Sequence, residues 1–146
     1  MRDLLHDHSL SLTASLVLVT WLLLYAFWNP NTHWGSFFGN AIADWSGVVV
    51  MMLVANYLYE KGSSESNAPP PDAPGHPLAD FARDHSLTIF LAITLAGWVI
   101  LYLHADVNGK WGQVVGNVVS EWVQSIGMVL LTKKFIERRQ GKNAPA

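Results

Sequence analysis

Two amide–carboxylate pairs are the residues of this chain whose types and spacing best suit chemistry. Asn40 precedes Asp44 by four positions, and Asn117 precedes Glu121 by four positions. Side chains four residues apart share one face of a helix. Both pairs fall inside strongly apolar segments, where an ionisable residue is costly and is by default a candidate functional site. The pattern predicts a path for a cation or a proton, with Gln124 continuing the same face.

A structural role for the same residues competes with this hypothesis. A carboxylate in the first turns of a helix is stabilised by the helix dipole and can be solvated from the membrane interface. Asn and Asp side chains also form hydrogen bonds between helices in membranes. The two pairs therefore predict either an ion or proton path or polar contacts between helices.

The distribution of charge is typical of a membrane protein. The 146 residues are 51% hydrophobic and 14% charged, whereas soluble domains carry about 25% charged residues. No Asp, Glu, Lys or Arg occurs between Asp7 and Asp44, or between Asp84 and Asp106. A soluble domain of this size has room to bury one such stretch but not several.

Four apolar segments approach the roughly 20 residues that a bilayer span needs. They lie at about 10–28, 37–59, 87–104 and 114–132, and none contains a proline. Because proline is the usual cause of a broken helix, its absence predicts four continuous helices. We expect an all-α integral membrane protein with four transmembrane helices.

The chain repeats itself at a spacing of 77 residues without a gap. Residues 7–60 and 84–137 share 17 identities in 54 positions, with Asp-His-Ser-Leu, Trp, Gly and Asn all in register. Internal repeats of this kind are common in membrane transport folds. The predicted units are a first two-helix repeat at 1–61, a Pro/Ser-rich linker at 62–80, a second two-helix repeat at 81–138 and a flexible tail at 139–146. The composition of Lys61–Asp80 predicts an extended, disordered tether.

Basic residues predict the orientation. Eight of the nine Lys and Arg residues lie before the first apolar segment, between the second and third segments or after the fourth segment, and only Lys110 lies on the other side. The side with the basic excess is expected to be cytoplasmic. Both termini and the linker are then cytoplasmic, and the two hairpins are parallel repeats about an axis along the membrane normal. An outer aromatic belt is expected from Tyr25, Trp28, Trp34, Tyr102 and Trp111.

A Gly-x-x-x-Gly motif precedes each polar pair. Gly35 and Gly39 form it in the first repeat, and Gly112 and Gly116 form it in the second. This motif lets two helix backbones approach closely, so we interpret the four glycines as helix-packing residues.

The histidines are a weak basis for a metal site. His6 and His8 are two residues apart, a spacing that does not share a helix face, and only one of the two recurs in the second repeat. The simpler interpretation is that Asp and Ser residues cap the first turns of the first and third spans. These predicted caps are Asp7, Ser9, Asp84 and Ser86, which leaves His8 and His85 at the cytoplasmic headgroups. Trp21 and Trp98 are expected to pack in the core with their indole N–H groups bonded.

Composition and motifs also argue against whole classes of function. There is no cysteine, so disulfides, thiolate metal sites, Fe–S clusters and thiol catalysis are excluded. A net charge of −2 gives no reason to expect nucleic-acid binding. Because no nucleophile–base constellation, phosphate loop or haem-ligand pair appears, we expect no enzyme, no cofactor and no metal.

Four stretches resemble a family of small bacterial membrane proteins of unknown function that are built from two tandem two-helix units. The His8–Leu12 and His85–Leu87 stretches match the opening of each unit in that family. The Asn117–Gln124 stretch matches the second helix of a unit, and Lys61–Ser66 is similar to an Arg-Gly-Ser-x-Glu-Ser segment. The resemblance implies a bacterial membrane protein and supports the repeat and the polar pairs, but it implies no activity. Long charged insertions of the family are missing here, because the outer loops are short.

Together these features predict a homo-oligomeric channel or transporter-like protein for a cation or a proton in a bacterial inner membrane. Its expected partners are the lipid bilayer and further copies of the chain, since four helices leave little room for a hydrated pore. The alternative is a non-transporting membrane scaffold or partner-binding subunit. That alternative uses the glycine motifs and the basic tail Lys133–Lys142, which suits anionic headgroups.

The basic asymmetry predicts the sidedness of the chain. In intact cells, single cysteines at Ser64 and Asn143 should resist an impermeant thiol reagent, whereas a cysteine at Asn31 should react. The natural chain has no cysteine, so each label reports one position. Labelling of the linker cysteine from outside would overturn this orientation.

Overall fold

The described part of the chain is helical throughout its regular structure. The computed structural model describes residues 9–66 and 75–142, without the side chains of 137 and 139–142. Its five helices are α1 (Ser9–Phe27), α2 (His33–Val54), α3 (Pro77–Asp84), α4 (Ser86–His104) and α5 (Lys110–Lys142). Four stretches are long and apolar enough to cross a membrane: α1, α2, α4 and Lys110–Ile136 of α5. The prediction of four long apolar helices is confirmed.

Local hydrogen bonds explain why α2 begins and ends before the predicted 37–59 segment. Thr32 adopts an extended backbone conformation at the N-cap, and its hydroxyl accepts a hydrogen bond from the Gly35 N–H at 3.1 Å. Such a cap satisfies one of the orphan donors of the first turn. At the other end, the N–H groups of Tyr57 and Leu58 both donate to the carbonyl of Val54. The chain therefore turns away from the helix axis after Val54.

The long helices pack in the spatial order α1–α2–α5–α4. Within each hairpin the two helices are neighbours, and α2 and α5 join the hairpins at the centre. The buried core is apolar, as expected from the removal of large side chains from solvent. Its members come from all four long helices: Tyr25, Phe38, Ile42, Ala43, Leu87, Leu91, Val114, Val118, Trp122 and Val129.

The loops that join the two helices of each hairpin make equivalent hydrogen bonds 77 residues apart. The Asn31 N–H donates to the Asn29 side chain at 3.0 Å, and the Asn108 N–H donates to the Asp106 side chain at 3.0 Å. An Asx side chain that bonds the backbone two residues on is a local turn signal. Because Asn and Asp both accept this bond, the turn is retained although the residue type differs between the repeats.

The first glycine of each Gly-x-x-x-Gly motif allows the chain to turn tightly from loop into helix. A Cβ atom at Gly35 would overlap the carbonyl oxygen of Asn29, and one at Gly112 would overlap the carbonyl oxygen of Asp106. Both contacts are with backbone atoms, which have little freedom to move aside. A side chain at either position is therefore incompatible with the observed loop.

The second glycine of each motif gives space to an aromatic ring on the preceding helix. A Cβ atom at Gly39 would lie 3.1 Å from the Tyr25 ring, and one at Gly116 would lie 3.0 Å from the Tyr102 ring. The structure thus places the second glycine of each motif in the contact between the two helices of one hairpin.

Tyr25 departs from the predicted aromatic belt because it is 1% exposed, whereas Tyr102 is 38% exposed. The Tyr25 hydroxyl donates to the carbonyl of Lys110, whose ammonium lies 5.0 Å from the tyrosine ring centroid. That ammonium also donates to the carbonyls of Ala26 and Trp28 at 2.9 Å each. A cation at the C-terminal end of α1 interacts favourably with the helix dipole. The start of α5 is therefore fastened to the end of α1.

The prediction that Lys61–Asp80 is an extended tether is wrong for its last residues, which are helical. Helix α3 begins at Pro77, with Asp80 in its first turn and Arg83 in its last turn. Proline at the first helical position lacks only an N–H that would be unbonded anyway, and the two charges suit the helix dipole. Residues 67–74 lie outside the described part of the chain.

The predicted capping roles of Asp84 and Ser86 are wrong. The Asp84 carboxylate binds Lys61 at 3.1 Å and Arg83 at 3.0 Å. The Ser86 hydroxyl accepts from the N–H of Tyr59 at 2.8 Å and donates to its carbonyl at 3.1 Å. Both side chains are engaged because the chain after α2 returns to the start of α4.

Two further predictions about polar groups concern the Trp21 indole and the residues before α1. The Trp21 indole N–H, expected to be bonded, is buried and has no hydrogen-bond partner among the described residues. The predicted cap at Asp7 and the His6–His8 pair lie outside those residues.

The glycine geometry predicts a clear contrast between two substitutions in α5. Gly112→Ala should lower the free energy of unfolding by about 2 kcal/mol or more, because its methyl group meets a loop carbonyl. Gly127→Ala should raise it by up to about 1 kcal/mol, because nothing lies within 4 Å of an added Cβ atom and alanine favours helix. Unfolding of both variants in a denaturing detergent titration measures the difference. Equal effects would contradict the loop packing described above.

Candidate functional site: a carboxyl pair in a groove between α2 and α5

The two asparagines that the repeat predicts to be equivalent bind each other. The side-chain amide of Asn117 donates to the side-chain oxygen of Asn40. The two residues are 77 positions apart, so the hydrogen bond joins a residue to its own repeat counterpart.

One helical turn farther along, the two carboxyl groups also meet. Asp44 and Glu121 are within hydrogen-bonding reach of each other. An ionised carboxylate has no proton to donate, so a hydrogen bond between the two requires that one of them carries a proton. The Gln124 amide donates to the other side of Glu121 at 3.2 Å. The site therefore brings together two carboxyl groups and one amide donor.

Gly47 gives the Glu121 carboxyl its space. A Cβ atom at Gly47 would lie 3.3 Å from a Glu121 carboxyl oxygen, which is closer than a comfortable carbon–oxygen contact. The repeat counterpart of Gly47 is Gln124. The repeat is thus asymmetric at this level, with space on α2 and an amide donor on α5.

A groove of about 210 Å³ extends from the carboxyl pair between the two helices. Its wall combines carboxyl groups, small residues and flexible apolar side chains: Asp44, Gly47, Val48, Met51, Glu65, Glu121, Ser125 and Met128. Met51 and Met128 are repeat counterparts. Three pairs of repeat counterparts therefore lie along the seam between α2 and α5.

Part of this seam is open in the single chain. Asn40, Asp44 and Gln124 are exposed, whereas Asn117 and Glu121 are half-buried. Of the predicted path residues, the structure therefore brings together Asn40 with Asn117 and Asp44 with Glu121, and it places Gln124 against Glu121. Among the described residues, no group of three or more His, Asp or Glu side chains is arranged to hold a metal ion.

A second polar cluster, at the opposite end of the helices, was not predicted. Glu60 is 1% exposed, and its carboxylate binds His85 Nδ1 at 2.7 Å and Lys133 Nζ at 3.2 Å. The same carboxylate accepts from the backbone N–H of Thr88 at 3.3 Å. Glu60 therefore caps α4 and connects the end of the first hairpin to both helices of the second.

Burial raises the pKa of Glu60, but hydrogen bonds from Thr88, His85 and Lys133 lower it and outweigh burial. The pKa of this carboxyl consequently lies below its ordinary value. Each of these donors favours the ionised form, as is usual for a carboxylate with several donors. The repeat pairs Glu60 with Glu137 and His85 with His8, but that counterpart pair lies outside the described side chains.

The sequence carried a weak signal for this cluster. Glu60 is the last identity of the repeat, directly after an apolar segment, and His85 belongs to the repeated Asp-His-Ser-Leu stretch. The pairing was missed because the partners are separated by 25 and 73 positions, and only folding brings them together.

Comparison with known proteins finds no matching family model, no matching curated protein and no matching solved structure. The resemblance to small bacterial membrane proteins described above stays a prediction. The functional argument consequently depends on the geometry of the chain itself.

The Glu60 cluster predicts a pH-dependent contribution to stability. Because the folded-state pKa lies below the unfolded value, the stabilisation is present above roughly pH 4.3 and is lost as the pH falls through the folded pKa. Glu60→Gln should lower the free energy of unfolding by about 2 kcal/mol at neutral pH, with a smaller difference from the natural chain in acid. Detergent unfolding at several pH values measures both effects.

Asp80→Asn is the matched control for Glu60→Gln. Asp80 lies 3.6 Å from Arg83 in a partly exposed pair, and such pairs contribute about 0–1 kcal/mol. If both variants lose the same stability with the same pH profile, the contacts of Glu60 stabilise the fold no more than a partly exposed ion pair does.

Proposed function

We propose that the chain is a multi-pass membrane protein that conducts a proton, or a small cation, along the groove between α2 and α5. The observation that supports this most strongly is the contact between Asp44 and Glu121, two repeat-related carboxyl groups within segments apolar enough to cross a membrane. Intramembrane carboxyl groups commonly serve in proton relays and ion pathways.

The geometry favours a proton over a bound cation. The two carboxyl groups lie within hydrogen-bonding reach of each other, and Glu121 also accepts from the Gln124 amide. On this proposal, a proton that moves along the groove is shared by these two carboxyl groups and exchanged with water. On this proposal, the Gln124 amide orients the Glu121 carboxyl by donating a hydrogen bond to one of its oxygens.

We infer that the two hairpins are parallel repeats about a two-fold axis along the membrane normal. The Asn40–Asn117 bond, the Asp44–Glu121 contact and the equivalent outer loops support this arrangement. On the same proposal both termini and the linker are cytoplasmic, and the membrane is a bacterial inner membrane. The basic asymmetry supports the orientation.

A homo-oligomer follows from the exposure of the polar seam. Asn40, Asp44 and Gln124 are exposed in the single chain, and lipid offers them no hydrogen-bond partners. Amide donors and carboxyl acceptors are both present on this surface, so a second copy of the chain can satisfy them reciprocally. The proposed path is therefore enclosed between copies rather than within one chain.

The alternative function is a non-transporting membrane scaffold. The direct hydrogen bond between Asn40 and Asn117 favours it, because side-chain hydrogen bonds between membrane helices also serve packing. In that case the carboxyl pair holds α2 against α5 and moves no proton.

Charge removal separates these two functions. The double variant Asp44→Asn, Glu121→Gln retains the shape of both side chains but removes the exchangeable proton. If the pair is a proton path, proton flux into liposomes, measured with an enclosed pH-sensitive dye, should fall on the order of tenfold or more while the fold and oligomer persist. Asp80→Asn removes a carboxylate outside the groove and should leave the flux unchanged.

The scaffold hypothesis makes the opposite prediction for the same variant. The double variant should then lose thermal stability or dissociate, since several contacts averaging about 0.6 kcal/mol weaken together. Natural protein that conducts neither protons nor any tested cation, beside a destabilised double variant, would refute the transport proposal.

A further inference from the structure

The segment Lys61–Ser66, called the strap here, crosses one end of the groove. The Ser63 hydroxyl lies 3.0 Å from the Thr132 hydroxyl on α5. Gly62 reaches this position in a left-handed conformation, with φ of 83°, beside the Lys133 side chain. Thr132 lies eleven residues beyond Glu121, a distance of about 16 Å along a helix. The strap therefore covers the end of the groove that is remote from the carboxyl pair.

The strap also contributes a side chain to the groove itself. Glu65 lines the same cavity as Asp44 and Glu121, although it belongs to neither helix. Its backbone N–H donates to the Ser63 hydroxyl at 3.2 Å. The contact between Ser63 and Thr132 consequently fixes both the position of the strap and the direction of Glu65.

Several bonds hold the base of the strap, but one side-chain hydrogen bond holds its tip to α5. At the base, the Lys61 ammonium binds the Asp84 carboxylate at 3.1 Å, and the Lys61 N–H donates to the Asp84 carbonyl at 2.8 Å. Ser66 donates to the carbonyl of Glu60 at 3.2 Å and accepts from its N–H at 3.0 Å. These two bonds join the last residue of the strap to the residue that precedes it, so the strap forms a small closed loop. Glu60 is fixed by Lys133 and His85. The tip of the loop, by contrast, contacts α5 through one hydroxyl pair and exposes Ser64. A segment with so few contacts opens more readily than the helices beneath it.

The second repeat has no equivalent of the strap. The counterparts of residues 61–65 are residues 138–142, which continue α5 as helix to Lys142, whereas α2 has already ended at Val54. The groove is therefore covered at this end by one repeat only. Because only one repeat covers this end of the groove, a single segment is enough to open or close it.

We propose that the strap Lys61–Ser66 is a gate at this end of the groove, closed in the present structure by the contact between Ser63 and Thr132. The proposal depends on the proton path inferred above and names its regulation. Opening moves Glu65 away from the groove and admits water to the cavity beside Met51 and Met128. Glu60 is the hinge anchor, because it stays bound to Lys133 and His85 while the tip moves.

A reversible cross-link tests the gate. Hydroxyl oxygens 3.0 Å apart place Ser63 and Thr132 near the reach of a disulfide, whose Cβ atoms are roughly 3.5–4.5 Å apart. In the variant Ser63→Cys, Thr132→Cys, oxidation should reduce proton flux about tenfold or more by holding the gate shut, and a reductant should restore it. The single variants Ser63→Cys and Thr132→Cys should not respond to the oxidant. A disulfide-bonded variant that conducts as well as its reduced form would overturn the gate.

A second measurement separates failure of the gate from failure of the proton path. A cysteine at Ser125 lies in the groove, and its reaction rate with a cationic methanethiosulfonate added from the linker side reports access to the cavity. Ser63→Ala with Thr132→Val removes the hydroxyl contact and should raise this rate about tenfold. If the rate rises but the natural chain conducts nothing, the strap closes a groove that is not a proton path. If the rate does not change, the strap is not a gate, whatever the flux.

Discussion

Hydrocarbon offers polar side chains no hydrogen-bond partners, so those within an apolar helix must be satisfied by one another. If the four long helices of this chain span a membrane, the requirement is concentrated on one seam, where α2 and α5 pack together. Asn40 bonds Asn117 and Asp44 contacts Glu121 at the next turn. Each unsatisfied group would be expensive in lipid, so these contacts fix the register of the two helices. The order α1–α2–α5–α4 follows, because each outer helix packs on its own hairpin partner.

The connections between the hairpins have different chemistry at the two ends. At the loop end, Lys110 bonds the last carbonyls of α1 and covers the buried Tyr25 ring. At the other end, Glu60 binds Lys133 and His85 and caps α4. Each connection includes a lysine that the repeat does not duplicate, because the counterparts of Lys110 and Lys133 are His33 and Asn56. The seam between α2 and α5 therefore lies between two connections that involve residues specific to the second unit.

Sequence reasoning was most successful where the signal is local. The four apolar helices follow from runs of residues without charge, and the repeat follows from identities at one fixed spacing. The polar pairs were identified from a four-residue spacing that any helix turns onto one face. By contrast, the capping roles assigned to Asp84 and Ser86 were wrong, because each side chain found a stronger partner on a distant segment. The prediction that the Trp21 indole N–H is hydrogen-bonded was also wrong among the described residues. Whether that group finds an acceptor depends on neighbouring helices, which the sequence of its own helix does not specify.

The sequence by itself determined the four long apolar helices, the internal duplication, and the placement of two amide–carboxylate pairs in apolar segments. These properties depend on composition and on periodicity within one helix, which local steric and hydration effects control. Only the tertiary structure decided that repeat counterparts meet across α2 and α5, that Glu60 joins His85 and Lys133, and that Glu65 enters the groove. Those contacts join residues 21 to 77 positions apart. Whether such partners meet depends on the packing of whole helices, which no local pattern specifies.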